Sequence, residues 1–153
     1  MVHDFKKFPE LTNNQLSLYY FQSPHKQITE DFRAKVARVR DGDTIILNWS
    51  GRDFLFPLRF SNLAAPELNE EGGKESKSWL EKQILNEDVD IILSKQRVEK
   101  WGRLIGRVVH RGLDIGELSI MNGYGLSWEN RHDGKIPNFE SELSKKLREV
   151  ENA

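Results

Sequence analysis

Four charged side chains, at three places in the chain, are of the types that phosphodiester chemistry requires. Asp43 follows Asp41-Gly42, Arg59 stands between Leu58 and Phe60 ahead of Ala65-Pro66-Glu67, and Arg103 follows Lys100-Trp101-Gly102. A phosphodiester is already negative and gains charge as water attacks it. Catalysis therefore needs positive charge placed in advance and a group that orients or deprotonates the water. One carboxylate for a cation, a second for water and two guanidiniums for phosphate meet that need. Arginine suits the clamp because its planar fork grips two phosphate oxygens at once.

Each residue also has a plainer reading. Asp43, just past a tight turn at the head of a strand, is a rigid mount for a cation, and Asp41 is a second ligand or a partner behind the first. The same Asp-Gly-Asp string also serves as simple hairpin chemistry. Arg59 lies among apolar neighbours, so a buried guanidinium there must meet an anion, either a substrate phosphate or a structural carboxylate. Glu67 follows Pro66 on a stiffened loop, which suits a carboxylate that holds water and equally an exposed loop acid. Gly102 lets the backbone turn sharply just before Arg103 projects.

Positioning these groups requires a frame, and the hydropathy pattern supplies one. Ala34, Val36 and Arg38 alternate with Lys35, Ala37 and Val39, which predicts a strand from Phe32 ending at an Asp41-Gly42 hairpin turn. Further strands are predicted over 44–49 and 54–61, with Pro57 confined to an edge or bulge. A loop over 62–73 leads into a helix at about 74–85 that turns Trp79, Leu80 and Ile84 inward. Strands over 88–94 and 103–110 follow, joined by a basic loop at 95–102. Arg111-Gly112-Leu113-Asp114 turns into a short helix ending near Gly123, and a charged helix at about 138–151 carries Leu143, Leu147 and Val150 on one face. Five short strands grouped three and two, with a helix between the groups, predict an α+β fold that is mainly β. The expected form is a five-stranded OB-fold barrel with about three helices. Closure removes the unpaired edges that an open sheet would expose. Residues 1–31 read as an N-terminal extension ahead of a domain over 32–153. In it, Thr12-Asn13-Asn14-Gln15 matches a helix-capping box, followed by Leu16, Tyr19 and Tyr20 at helical spacing.

Composition narrows the class. A chain of 153 residues with 37% hydrophobic content is long enough for one domain with a real core. The absence of cysteine excludes a disulfide framework, a thiolate metal site and a cysteine nucleophile. No apolar run approaches the roughly 18 residues a membrane span needs. The polar start, Met1-Val2-His3-Asp4-Phe5-Lys6-Lys7, leads into no apolar export core, so a cytoplasmic location is expected. Net charge is −1, but its distribution is uneven. Residues 94–111 carry six Lys/Arg against Glu99 alone, whereas 67–90 carry eight acids against three lysines. Such polarity presents either one phosphate-attracting face or two solvated ones. His3, His25, His110 and His132 have no zinc-ligand spacing.

Taken together, Val39-Arg40-Asp41-Gly42-Asp43-Thr44, Leu58-Arg59-Phe60, Ala65-Pro66-Glu67 and Lys100-Trp101-Gly102-Arg103 resemble the staphylococcal nuclease (thermonuclease) family. The stretch from Ile115 to Gly123 resembles that family's helix after the barrel, and the likeness covers roughly residues 32–128. The resemblance implies an OB-fold barrel and calcium-dependent cleavage of DNA and RNA. It implies Asp43 as a calcium ligand with Thr44 beside the metal, Arg59 and Arg103 as phosphate clamps, and Glu67 as the residue that positions or activates water. One position departs. The family's Asp-Thr before Pro-Glu is Ala64-Ala65 here. A methyl group cannot ligate a cation, although the Ala65 backbone carbonyl can. Asn62, Asp41, Glu70 and Glu71 are the substitutes within reach, and magnesium or manganese held largely through waters is the altered metal expected. Lys100 and Trp101 are substrate-side residues in this reading, Trp101 keeping an aromatic face near the clamp, and Trp128 either stacks on a base or packs at the rim. The expected function is metal-dependent hydrolysis of DNA or RNA. The alternative is a catalytically impaired OB-fold module that binds single-stranded nucleic acid or a protein partner.

Overall fold

A computed structural model describes residues 10, 28–99 and 102–127. In chain order the elements are β1 (Phe32–Asp41), β2 (Thr44–Asn48), β3 (Phe56–Phe60), β4 (Leu63–Ala64), α1 (Gly73–Ile84), β5 (Asp88–Val98), β6 (Leu104–His110), β7 (Leu113–Asp114), α2 (Ile115–Met121) and β8 (Leu126–Ser127). Five strands close into a ring in the order β1–β2–β3–β6–β5 and back to β1. Four seams of the ring are antiparallel and the β3–β6 seam is parallel. Strand β7 lies outside the ring on β6, and β4 pairs with β8 in a separate two-stranded ribbon. This is the closed, mixed OB-type barrel with few helices that the strand pattern predicts.

Local chemistry explains most of the boundaries. Strict alternation in β1 would place Val39 on the face of Lys35. The ladder to β2 slips between Val36 and Arg38, so Ala37 is an extra residue. A bulge of this kind exchanges the faces of the side chains that follow it. Val39 therefore enters the core while Arg38 is exposed, which corrects the simple period-two reading. Pro57 pairs with Ile46, one residue before the parallel ladder begins at Leu58, and so stays at the end of that seam.

The helix expected at 74–85 lies at Gly73–Ile84. It buries Ser76, Leu80 and Ile84 and packs across β1, whereas Trp79 is only half-buried. The helix ends where Asn86 takes a left-handed φ of 64°. The segment expected as a basic loop over 95–102 is in large part strand, because β5 continues to Val98 through an irregular ladder after Leu93. Within the expected loop over 62–73, Leu63–Ala64 forms β4. The helices expected in the first 31 residues and at 138–151 fall outside the described residues. Glu10 and Ile28 of the stretch read as an extension are both buried against the barrel. Among the described residues no helix is long and apolar enough to cross a membrane.

Phe56, Leu58 and Phe60 of β3, Ile45 and Leu47 of β2, and Ile91, Leu104 and Val108 of β5 and β6 form the interior. That packing holds β3 rigid, and with it the one arginine on the strand.

Candidate functional site

Asp43 occupies the β1–β2 turn. Its N–H donates to Asp41 Oδ1 at 3.1 Å, the local bond by which an aspartate stabilises a turn. The turn is pressed down by its neighbours. A Cβ at Gly42 would lie 2.6 Å from the Ala65 Cβ and would run into the Ser76 side chain of α1. Glycine is needed there for close approach. Phe60 N–H donates to the Asp43 carbonyl at 3.0 Å, which ties the turn to β3.

The Asp43 carboxylate is buried, and both its oxygens have partners. Oδ1 accepts the Thr44 hydroxyl at 3.2 Å, and Oδ2 accepts the Ala65 N–H at 2.9 Å. Oδ2 also faces Arg59 Nη1 at 3.1 Å. Burial pushes the Asp43 carboxyl up to about 7; Arg59 opposes the rise and Asp41 adds to it. Arg59 is buried as well and sits opposite Thr44 in the β2–β3 ladder. Its Nη1 donates to the carbonyls of Leu63 at 2.9 Å and Phe60 at 3.3 Å. The buried guanidinium thus meets its anion in Asp43 and stitches β3, the 61–64 bend and the β1–β2 turn into one corner.

Arg103 follows Gly102, whose φ of 84° only glycine adopts without strain. Its fork is filled by Glu99, with Nε donating to Oε1 at 2.6 Å and Nη2 to Oε2 at 3.1 Å. Half-burial would lower its affinity for the proton. The hydrogen bonds and charge of Glu99 outweigh that, Asp43 and Asp41 add to them, and the pKa is raised. Asp43 and Asp41 act on Arg103 only through their charge, and its direct partner is Glu99. Glu99, the residue the sequence reading passes over, is the lone acid of a basic stretch. Its spacing of four from Arg103 is the signal that points to the pair.

Glu67 is exposed, and its carboxylate has no hydrogen bond or ion pair among the described residues. Its backbone is fixed. Glu67 N–H donates to Glu70 Oε1 at 3.1 Å and its carbonyl accepts Glu70 N–H at 2.9 Å. A Cβ at Gly73 would fall 1.9 Å from that carbonyl, so the first residue of α1 has to be glycine for the loop to seat. The Ala65 tether to Asp43 holds Glu67 two residues from the buried carboxylate. Lys100, Trp101 and Trp128 lie outside the described residues, and His110 is half-buried at the end of β6.

Ala64 is buried and paired with Leu126 in β4–β8, so no oxygen replaces the missing carboxylate there. Ala65 meets Asp43 through its N–H. Among the described residues no group of three or more His, Asp or Glu side chains is gathered for a metal. Asp43 Oδ1 and Asp41 keep lone pairs to spare, since each hydrogen bond uses one of about two per oxygen. A cation held by these one or two carboxylates would have to draw the rest of its oxygen ligands from water or backbone carbonyls. Three cations of the basic stretch have carboxylate partners as well. Arg107 pairs with Asp114 at 3.1 Å and Arg111 with Glu87 at 3.8 Å, in addition to Arg103 with Glu99.

No family model matches the chain. It is 27% identical over 113 residues to a micrococcal nuclease of Shigella flexneri, covering 69% of this chain and 62% of that protein. It is 31% identical over 104 residues to an uncharacterised protein of Bacillus anthracis, covering 63% of this chain and 48% of that one. The chain thus spans between about half and three-fifths of the relatives it matches. These similarities support a distant, nuclease-like relationship.

Proposed function

We propose that this chain hydrolyses phosphodiester bonds in nucleic acid, DNA or RNA, with a divalent cation held at Asp43. The observation that carries the reading is the corner itself. A buried carboxylate is paired with Arg59 and held by the Ala65 N–H, two residues from the exposed Glu67. Similarity to a micrococcal nuclease supports the same reading. In it, Arg59 and Arg103 neutralise the charge that builds on the phosphate, Arg103 exchanging the Glu99 carboxylate for phosphate oxygens. Glu67 orients a water and takes its proton. Asp43, with Asp41 behind it, holds the cation. When bound, the cation would supply charge neutralisation at the phosphate and acidify a bound water. Magnesium or manganese suits these donors better than calcium.

Incubating labelled single-stranded DNA and RNA in separate lanes with EDTA, Ca²⁺, Mg²⁺ and Mn²⁺ tests the reading directly. Cleavage is expected with magnesium or manganese and none with EDTA. Glu67→Gln and Arg103→Ala should each lower the rate roughly 10²–10³-fold while melting normally. Parental rates in both variants would remove these residues from the chemistry. A second reading, an OB-fold module that binds nucleic acid without cutting it, draws on the Glu99 fork and on Ala64. Retention of a labelled strand with no cleavage in any lane would favour it.

A further inference from the structure

On the outward side of α1 a cleft of about 400 Å³ is lined by Lys74, Glu75, Ser78, Trp79, Lys82 and Tyr124. None of these residues takes part in the corner described above. Trp79 and Tyr124 stack with ring centroids 5.3 Å apart and planes 22° from parallel. Each ring is held by its backbone. Trp79 is half-buried against the core from α1. Tyr124 is set by the end of α2, where Gly123 at φ 80° and Tyr124 donate to the carbonyls of Ile120 at 3.1 Å and Ser119 at 2.9 Å. That pair of bonds is a Schellman cap, which fixes the residue after the glycine. Neither the indole N–H nor the phenol O–H has a hydrogen-bond partner among the described residues. Lys74 and Lys82 are eight positions apart on the helix, about 12 Å along its axis, with Glu75 as the acid among them.

The cleft adjoins the corner. Gly73, next to Lys74, packs on the Glu67 carbonyl, and Ser76 packs on Gly42. A strand bound at Asp43 and leaving along α1 would meet Lys74 first and then the rings and Lys82. Aromatic faces with flanking cations are the means by which proteins hold single strands without reading sequence. We infer that this cleft is a subsite for the nucleotides flanking the scissile bond of a single-stranded nucleic acid, with Lys74 and Lys82 on phosphates and the Trp79–Tyr124 stack under a base. The inference rests on the nucleic-acid reading of the corner.

The test uses the full chain, fluorescein-labelled dT12 and its rU12 counterpart in EDTA, and steady-state cleavage of the same oligonucleotides with magnesium. Lys74→Ala/Lys82→Ala should weaken oligonucleotide binding about 10-fold and flatten its salt dependence by roughly 1–1.5 in log–log slope, near 0.7 per lost phosphate contact. KM should rise in proportion while kcat holds, and cleavage of a dinucleotide, too short to reach the cleft, should be unchanged. Tyr124→Leu should weaken binding about 5- to 100-fold, the loss of one stacked base. Unchanged affinity, salt slope and KM in the lysine variant overturn the inference, as does parental protein that binds neither oligonucleotide. Should no cation support cleavage while the lysine variant still loses binding, the subsite stands and the hydrolytic reading alone fails.

Discussion

At Arg103 the guanidinium grips Glu99 with both prongs of its fork, so in the proposed reaction a substrate phosphate would have to compete with that carboxylate. Glu99→Gln removes the competitor's charge and keeps its shape. The expected outcome is a KM about 2- to 5-fold lower with kcat little changed, the size of a partly exposed ion pair removed from the unbound state. A higher KM in that variant would assign Glu99 to holding Arg103 in place. Asp43 and Arg59 were legible in the sequence because each has a local reason to be where it is, a hairpin turn for one and an apolar strand that forces an anion partner for the other. That they partner each other was not, because it depends on β2 and β3 running side by side. The Glu99–Arg103 pair was hidden for a different reason. Gly102 marks the turn and the spacing of four marks the pair, but neither says that Glu99 rather than a bound anion fills the Arg103 fork.

Among the elements, α1 acts as the brace of the corner. Its first residue presses on the Glu67 carbonyl and Ser76 presses on Gly42, so helix placement sets both the Glu67 loop and the carboxylate turn. Gly73→Ala should displace the Glu67 loop and lower kcat by about 10²-fold, with KM far less affected, the usual penalty for moving a catalytic group by about an ångström. Equal kcat in this variant, measured beside a circular dichroism spectrum, would separate the loop's position from the chemistry. Strand existence was legible from alternation and turn residues. The bulge at Ala37 was not, since one extra residue leaves the composition of β1 unchanged. Nor was the two-residue β4–β8 ribbon, which is too short to impose a period.

At the level of the whole molecule, residue 10 belongs to the barrel. The Glu10 carboxylate is buried and pairs with the buried Arg52, its Oε2 accepting Nη2 at 3.0 Å, while its charge also reaches Arg97. The Arg52 guanidinium lies over the rings of Phe54 and Phe56 at 5.1 and 4.6 Å from their centroids. Composition allows such a pair but cannot reveal it, because the partners are far apart in the chain. Glu10→Ala removes one buried carboxylate from this cluster and should cost about 3–5 kcal/mol, read from urea unfolding. A loss below about 1 kcal/mol would show that water or another group takes over.

The parallel β3–β6 contact is the shortest joint of the ring, only Leu58, Arg59 and Phe60 against Leu104, Ile105 and Gly106. Arg59 is its middle residue, and Arg103 immediately precedes its other half. Thermal breathing of the barrel at this joint would pull the two cations apart while the antiparallel hairpins on either side held their shape. The hydrolysis proposed for the corner would then vanish at temperatures where most of the protein was still folded.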